Sequence, residues 1–264
     1  MKKRFFALAS VVVLIIMTLM LVSCDVMHVS GRGDMVSRTF DVGGFSDVNI
    51  RGVYNVVWTE STSVSVEIVM QENLFQHTDV NVRSGTLYIE SNRRFNIQSG
   101  YMPRLYISSP SLEAIVAGGG VGADGWSRVS GQSFMMDIEG GANINIELDV
   151  ESLEILVQGG ATINLGGYAT SATVTINGGT IVDASELQTV SATVTLNGAG
   201  SIDIAVSDYL NATIDGVGNI RYIGEPEVTR RTGSDSKRNG NRFCPKKVNG
   251  NILNLNTEEI MLPT

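Results

Sequence analysis

Apolar and polar residues alternate at two-residue spacing through most of the chain between residues 38 and 224. In five stretches a glycine at position 140, 159, 178, 198 or 216 interrupts the alternation, so the pattern recurs every 18 to 20 residues. A degenerate sixth copy runs through residues 112 to 120. Alternation with many β-branched residues is typical of strands. We therefore predict that each copy is a strand, a glycine corner and a second strand.

The copies align into apolar columns two residues before and four residues after the glycine. The column before the glycine contains Ile138, Val157, Ile176, Leu196 and Ile214. The column after it contains Ile144, Ile163, Val182, Ile202 and Ile220. One unit cannot bury its apolar side alone, whereas stacked copies bury a continuous core. The pattern thus predicts an all-β fold, a right-handed parallel β-helix-like solenoid of ~19–20-residue repeats, with handedness from the usual crossover preference. A β-sandwich is the alternative, but it leaves the constant glycine register unexplained.

The chain divides into five predicted regions. Residues 1–23 are a lipoprotein signal peptide, and residues 24–37 a lipid anchor and tether. Residues 38–110 alternate at period two and form an N-terminal β-strand region that caps the solenoid, with one helical turn near residues 71 to 76. The glycine-cornered repeats occupy 111–224, and 225–264 is a basic, flexible tail. No Pro- or Ser-rich linker separates 38–110 from 111–224, so one continuous fold is expected.

The N-terminus has the pattern of an export signal. Lys2, Lys3 and Arg4 precede an apolar run over residues 5 to 22. The next residues, Leu21-Val22-Ser23-Cys24, resemble the lipobox of bacterial lipoprotein precursors. This resemblance implies that Cys24 is the lipid attachment site and that the chain is anchored to a membrane in the cell envelope, with the leaflet left open. An uncleaved membrane anchor is the alternative, because the run is long enough to span a bilayer.

Charge is unevenly distributed along the chain. Residues 27 to 228 contain nine arginines, no lysine and 23 acidic residues, whereas residues 229 to 264 carry a net charge of +4. The acidic body argues against nucleic acid as a partner. The two cysteines are Cys24 and Cys244. Acylation of Cys24 leaves no intrachain disulfide.

Two polar columns are the candidate sites. The first is a possible binding face for a glycan or protein, formed by Asn145, Asn164, Asp183 and Asp203. The second directly precedes the corner glycines and contains Glu139, Gln158, Asn177, Asn197 and Asp215. We interpret the second column as a structural ladder, since polar side chains satisfy backbone groups at turns. A ligand or cation strip is the other interpretation.

No catalytic constellation is recognisable. The two histidines are far apart in sequence, and no metal-ligand spacing or Ser-His-Asp pattern occurs, so we expect no catalytic residue, metal or cofactor. A lyase or hydrolase of polysaccharides, using paired carboxylates such as Asp183 and Asp203, is the enzymatic alternative. The tripeptide Arg32-Gly33-Asp34 is of the integrin type but is short enough to occur by chance. Trp58 and Trp126 have the chemistry to stack on a sugar, although packing is the commoner role.

A series of motifs carries a family resemblance. In order they are Phe45-x-x-Val-x-Ile, Val56-x-Trp, Val64-x-Val-x-Ile, Glu72-Asn-Leu, Gly85-Thr-Leu-Tyr-Ile, Pro110-x-Leu-Glu-Ala-Ile, the Gly-Gly repeats, and Gly216-x-Gly-Asn-Ile-x-Tyr-x-Gly-Glu-Pro226. Over residues 38 to 235 the chain resembles the auto-transporter adhesin head GIN domain family. The resemblance implies an exported or lipid-anchored β-helical protein of bacteria. We therefore predict a non-enzymatic, adhesin-like or structural module, or alternatively an accessory or sensor lipoprotein of a membrane system.

Overall fold

The computed structural model of the chain describes residues 27–91, 95–98, 101–232 and 242–246. About 76% of the structure is strand and about 3% is helix, arranged as a β-solenoid of about six turns with a repeat near 19 residues. The predicted fold class is therefore confirmed. Cys24 and the predicted signal peptide lie outside the described residues. No helix within the described ranges is long and apolar enough to cross a membrane.

Among the described residues between 27 and 123 there are nine strands and a short 3₁₀ helix, which confirms the helical turn. The elements are β1 Met27–Ser30, β2 Met35–Phe40, β3 Asp47–Glu60, β4 Ser65–Gln71, the 3₁₀ helix Glu72–His77, β5 Thr78–Arg83, β6 Thr86–Ser91, β7 Phe95–Gln98, β8 Arg104–Ser109 and β9 Ala114–Ala123.

Between residues 129 and 223 the solenoid turns are long bent strands that break only at the glycine corners. These strands are β10 Val129–Ile138, β11 Gly141–Val157, β12 Gly160–Ile176, β13 Gly179–Leu196, β14 Ala199–Ile214, β15 Val217–Ile223, β16 Glu227–Thr232 and β17 Arg242–Lys246.

Successive turns pair in parallel with equivalent residues opposite each other. Ile144 pairs with Ile163, Ile163 with Val182, Val182 with Ile202 and Ile202 with Ile220. These five side chains are at most 1% exposed, so the predicted apolar column is the core of the solenoid. Complete burial of such a side chain contributes about 1.5 to 3 kcal/mol. The parallel register rules out the alternative sandwich.

The corner glycines form a stack in which neighbouring backbones touch. A Cβ built on Gly159 would lie 1.9 Å from the carbonyl oxygen of Gly140, and one on Gly178 would lie 1.8 Å from that of Gly159. The same close approach, at 1.8 to 2.1 Å, occurs at Gly119, Gly140, Gly198 and Gly216. No side chain fits at these positions, because the carbonyl of the adjacent turn occupies the space. The packing of the turns therefore explains the glycine period.

The N-terminal region and the repeats share one core. Strand β3 pairs in parallel with β9 from Asp47 to Val56, and β9 pairs with both β10 and β11. The other face of this region is closed by antiparallel pairs that join β2 to β4 and β4 to β8. The N-terminal strands thus begin the solenoid and cover its first turn.

Two segments differ from the sequence prediction. Within the predicted tether, β1 pairs with β7 and β2 pairs with β4. Within the predicted tail, β16 pairs with β14 and β17 pairs with β15. Local sequence revealed only the end of β2, from residue 38 onward, and not β1, β16 or β17, because the ladders of these strands are completed by distant partners. Strands β2, β16 and β17 therefore extend the main sheet, whereas β1 forms a separate two-stranded sheet with β7.

Candidate functional site

The proposed binding face is a real column on the outside of the solenoid. Parallel pairing places Asn145 opposite Asn164, Asn164 opposite Asp183, and Asp183 opposite Asp203. The first three residues are exposed. Asp203 differs, because only 8% of it is accessible. Neighbouring members of the column are about 4.8 Å apart, as in any β-ladder.

The acidic end of this column is occupied by internal contacts. Arg221 donates two hydrogen bonds to Asp203, from Nε to Oδ1 at 2.5 Å and from Nη2 to Oδ2 at 2.7 Å. Asp183 accepts from the backbone N–H of Ser185 at 3.1 Å and from its hydroxyl at 2.6 Å. A general acid or base must reach a substrate proton, whereas both oxygens of Asp203 are already bound to Arg221. The column therefore suits a structural role at this end better than acid–base chemistry.

The amide end of the column borders a surface concavity with a volume of about 610 Å³. We call it the Asn depression and define it by its polar and apolar wall residues, which are Asn55, Met102, Asp124, Asn143, Asn145 and Asn164. Asn55 comes from β3, Asn143 and Asn145 from β11, and Asn164 from β12. The side chain of Asn145 donates a hydrogen bond of 3.3 Å to Oδ1 of Asp124. Three strands and the bend after β9, which carries Asp124, thus bring polar side chains to one hollow.

Glycine residues make the floor of the Asn depression shallow and smooth. Gly120, Gly122 and Gly141 line it. A Cβ built on Gly141 would meet no atom closer than 3.8 Å, in contrast to the corner glycine one position earlier. Packing between turns therefore does not explain the glycine at position 141, and the absence of a side chain leaves its backbone open to an approaching molecule.

The second polar column is a ladder along the corners. Each member donates its backbone N–H to the preceding turn, for example Gln158 to the carbonyl of Ile138 at 2.8 Å. Side chains also bond to each other, since Asn197 donates to the side-chain oxygen of Asn177 at 2.8 Å. These bonds agree with a structural role for the column.

One carboxyl group beside the ladder is electrostatically perturbed. Burial and the nearby negative charge of Glu139 raise the pKa of Asp137, the charge of Glu154 raises it further, and a hydrogen bond from Gln158 partly opposes them. Oδ1 of Asp137 is buried without a hydrogen-bond partner. Asp137 therefore carries its negative charge at a cost to folding.

A neighbouring face presents hydroxyl groups in rows. Pairing of β12 with β13 aligns Ser171 with Ser191, Thr173 with Thr193, and Thr175 with Thr195. The face is flat because the rows follow the regular alternation of two adjacent strands. It has no carboxylate in these two turns.

The remaining sequence candidates have structural contacts. Trp58 is 2% exposed and donates to the hydroxyl of Ser109 at 2.9 Å, and Trp126 donates to the carbonyl of Val56 at 2.7 Å. Their rings pack together with centroids 6.4 Å apart, so the tryptophans are not an exposed sugar platform. The backbone N–H of Arg32 bonds to the side chain of Asn73 at 2.7 Å, which fixes the tripeptide region against the 3₁₀ helix. No group of three metal-ligating residues is present in the described ranges.

Of the six residues that define the Asn depression, the sequence prediction named only Asn145 and Asn164. Asn143 lies two residues before Asn145, so strand alternation was a signal that could have added it. Asn55 and Asp124 had no such signal, because they join the site through the pairing of β3 with β9 and the bend after β9. Their contribution depends on contacts between distant parts of the chain.

Comparisons with known proteins agree with this architecture. A structure described as a "putative adhesin" from Bacteroides fragilis superposes with a TM-score of 0.73 at 20% identity, covering 83% of this chain and 100% of the other. A "putative lipid binding protein" from Parabacteroides distasonis gives 0.59 at 17% identity, and a "putative adhesin" from Parabacteroides merdae gives 0.58 at 21%. Each of the two covers 84% of this chain and 100% of its own.

The family assignment rests on the sequence of the solenoid itself. No curated protein matches the chain. Residues 44–226 match the family described as "Putative auto-transporter adhesin, head GIN domain". This range runs from the loop before β3 to the end of the last complete turn, which includes the corner glycines and the Asn depression. The chain therefore belongs to the auto-transporter adhesin head GIN domain family.

Proposed function

We propose that this protein is a non-enzymatic, adhesin-like binding module of the bacterial cell envelope, and that the Asn depression is the centre of its binding surface. The observation that carries the proposal is the convergence of Asn55, Asn143, Asn145, Asn164 and Asp124 on one open hollow. Concave sites with a few convergent polar groups are the usual places for ligands. The ligand is a glycan or a protein that approaches the side of the rod.

The adhesin-like assignment draws on the family and the shape together. The family and two of the solved neighbours are described as adhesins. A solenoid offers long flat faces, and here they carry amides and hydroxyls, which suit binding by many weak contacts. The description of one neighbour as a lipid binding protein suggests an apolar ligand instead. The four asparagines and Asp124 that line the Asn depression favour the first assignment.

The location follows from the N-terminal motif. We propose that the chain is cleaved before Cys24 and attached to a bacterial membrane by acyl chains on that residue, since several chains give durable attachment. Replacing Cys24 by serine should abolish incorporation of labelled palmitate, and the mass of the mature wild-type chain should show that residues 1–23 have been removed. A membrane-bound wild-type chain that retains residues 1–23 and takes up no palmitate would support an uncleaved helical anchor instead.

Binding is tested with the chain from Asp25 to Thr264, which retains every described strand. The probes are immobilised glycans, peptidoglycan and matrix proteins, and every glycan is afterwards analysed for shortened or unsaturated products. We expect saturable binding without turnover. Product formation would instead support the polysaccharide-degrading alternative, and the Asp183→Asn and Asp203→Asn variants would then show whether that column carries the chemistry.

A further inference from the structure

The polar groups of the Asn depression match the hydroxyl groups of a sugar. Each asparagine side chain offers both donors and an acceptor, and each sugar hydroxyl also donates and accepts. Asn143 and Asn145 are about 7 Å apart along β11, and Asn145 and Asn164 are about 4.8 Å apart across the ladder. The second distance is close to the length of one pyranose ring. The spacing therefore lets neighbouring rings contact neighbouring turns.

Charge excludes anionic ligands from this site. Among the described residues lining the depression, none is lysine, arginine or histidine. Asp124 contributes a carboxylate, which only accepts hydrogen bonds when ionised. An acidic polysaccharide would meet this negative charge and the acidic body around it. A neutral glycan can instead donate hydroxyl hydrogens to Oδ2 of Asp124, because Oδ1 already accepts from the Asn145 side chain and from the backbone N–H of Gly125.

The apolar parts of the depression suit the C–H face of a sugar ring. Met102 is 47% exposed at the wall, where it is available for contact. The glycine floor has no side chain to hold a ring away from the backbone. At Gly141 the packing between turns does not require a glycine, because a Cβ there would meet no atom closer than 3.8 Å. A flat ring therefore has room to lie on the floor while its hydroxyls reach the amides at the rim.

The location of the depression also disfavours an extended peptide. Peptides usually bind β-proteins by adding a strand to an open sheet edge. The Asn depression lies on the face of the sheet, where β11 is already paired with β12 on one side and with β9 and β10 on the other. Recognition here must therefore come from side chains, as in sugar binding.

From these observations we infer that the Asn depression binds an uncharged glycan chain, whose successive rings contact Asn145 and Asn164 and whose hydroxyls donate to Asp124. This inference rests on the proposed binding function and names the ligand class. Binding of an uncharged chain should be nearly independent of salt, because no counterions are released.

The test compares matched asparagine variants of the chain from Asp25 to Thr264. The probes are arrays of neutral and of uronic-acid-containing oligosaccharides, with matrix proteins on the same slides. Asn145→Ala and Asn164→Ala should each weaken binding of a neutral glycan about tenfold, the effect of losing about 1.4 kcal/mol. Asn219→Ala is the control, because Asn219 is an exposed asparagine of the same face, three strands away from Asn164 on β15.

Each outcome has a separate meaning. Neutral-glycan binding that falls in both depression variants and not in Asn219→Ala supports the inference. Binding only to acidic glycans or only to matrix proteins overturns it but leaves the proposed binding function standing. Neutral-glycan binding that is equal in all three variants also overturns it, because the site lies elsewhere. Absence of binding to every probe contradicts both the inference and the proposed function.

Discussion

Replacing Gly159 by alanine tests whether the corner glycines set the distance between turns. The new Cβ would lie 1.9 Å from the carbonyl oxygen of Gly140, whereas ordinary contact begins at 3.4 Å, so the turns must separate locally by about 1.5 Å. This movement would break the bond from the backbone N–H of Gln158 to the carbonyl of Ile138, which joins the same two turns. One bond at about 1 kcal/mol and overpacking of about 1 to 3 kcal/mol predict a loss of about 2 to 4 kcal/mol.

The control is the glycine at the next position. A Cβ on Gly160 would lie 3.5 Å from the carbonyl oxygen of Gly179, which is an ordinary contact. Gly160→Ala should therefore change the free energy of unfolding little, or raise it by up to about 1 kcal/mol through a less flexible unfolded chain. Urea unfolding followed by circular dichroism measures both variants. Equal losses for Gly159→Ala and Gly160→Ala would refute the reasoning.

Three further predictions concern charge and packing. Arg221→Met should lower the free energy of unfolding by about 2 to 3 kcal/mol, because it removes the ion-pair partner of the buried Asp203 carboxylate. In urea unfolding, the double variant that also carries Asp203→Asn should recover most of this loss, and no recovery would contradict the ion-pair argument. Asp137→Asn should stabilise the fold near neutral pH and have no effect well below the ordinary carboxyl pKa of 3.8. Because folding raises the pKa of Asp137, its contribution to stability is complete at low pH and is lost as the pH rises through the folded pKa. Equal shifts of the urea midpoint at both pH values would count against this. Trp126→Phe should lower the free energy of unfolding by about 1 kcal/mol through the lost hydrogen bond to the Val56 carbonyl. The remaining tryptophan fluorescence, from buried Trp58, should resist acrylamide quenching until the protein unfolds. Strong quenching in the folded protein would show that Trp58 is accessible.

The strands and turns of the repeat region were predictable because they follow from short-range periods in the sequence. Alternation at two residues specifies which side of a strand faces the core, and it correctly placed Ile144, Ile163 and their column. The glycine period specified the length of a turn. Since each turn stacks on a copy of itself, these two periods were sufficient to predict a solenoid and the shared register of Asn145 and Asn164.

Strands at both ends of the solenoid escaped prediction for a physical reason. Residues 27–40 and 227–232 alternate weakly, and their own sequence does not show which partner completes their hydrogen bonds. In the structure β2 pairs with β4 and β16 pairs with β14. A strand at the end of a stack is therefore stabilised mainly by the neighbour that it covers.

The sequence by itself determined the repeat, the inward and outward columns and the acidic character of the body. Only the tertiary structure decided which outward residues meet at a concave site. Pairing of β3 with β9 brings Asn55 opposite Gly122, and the bend after β9 brings Asp124 within 3.3 Å of the Asn145 amide. The repeat register alone already places Arg221 beside Asp203, and the structure adds the two hydrogen bonds that join them. The contacts of Asn55 and Asp124, in contrast, depend on how distant segments stack, which no local period records.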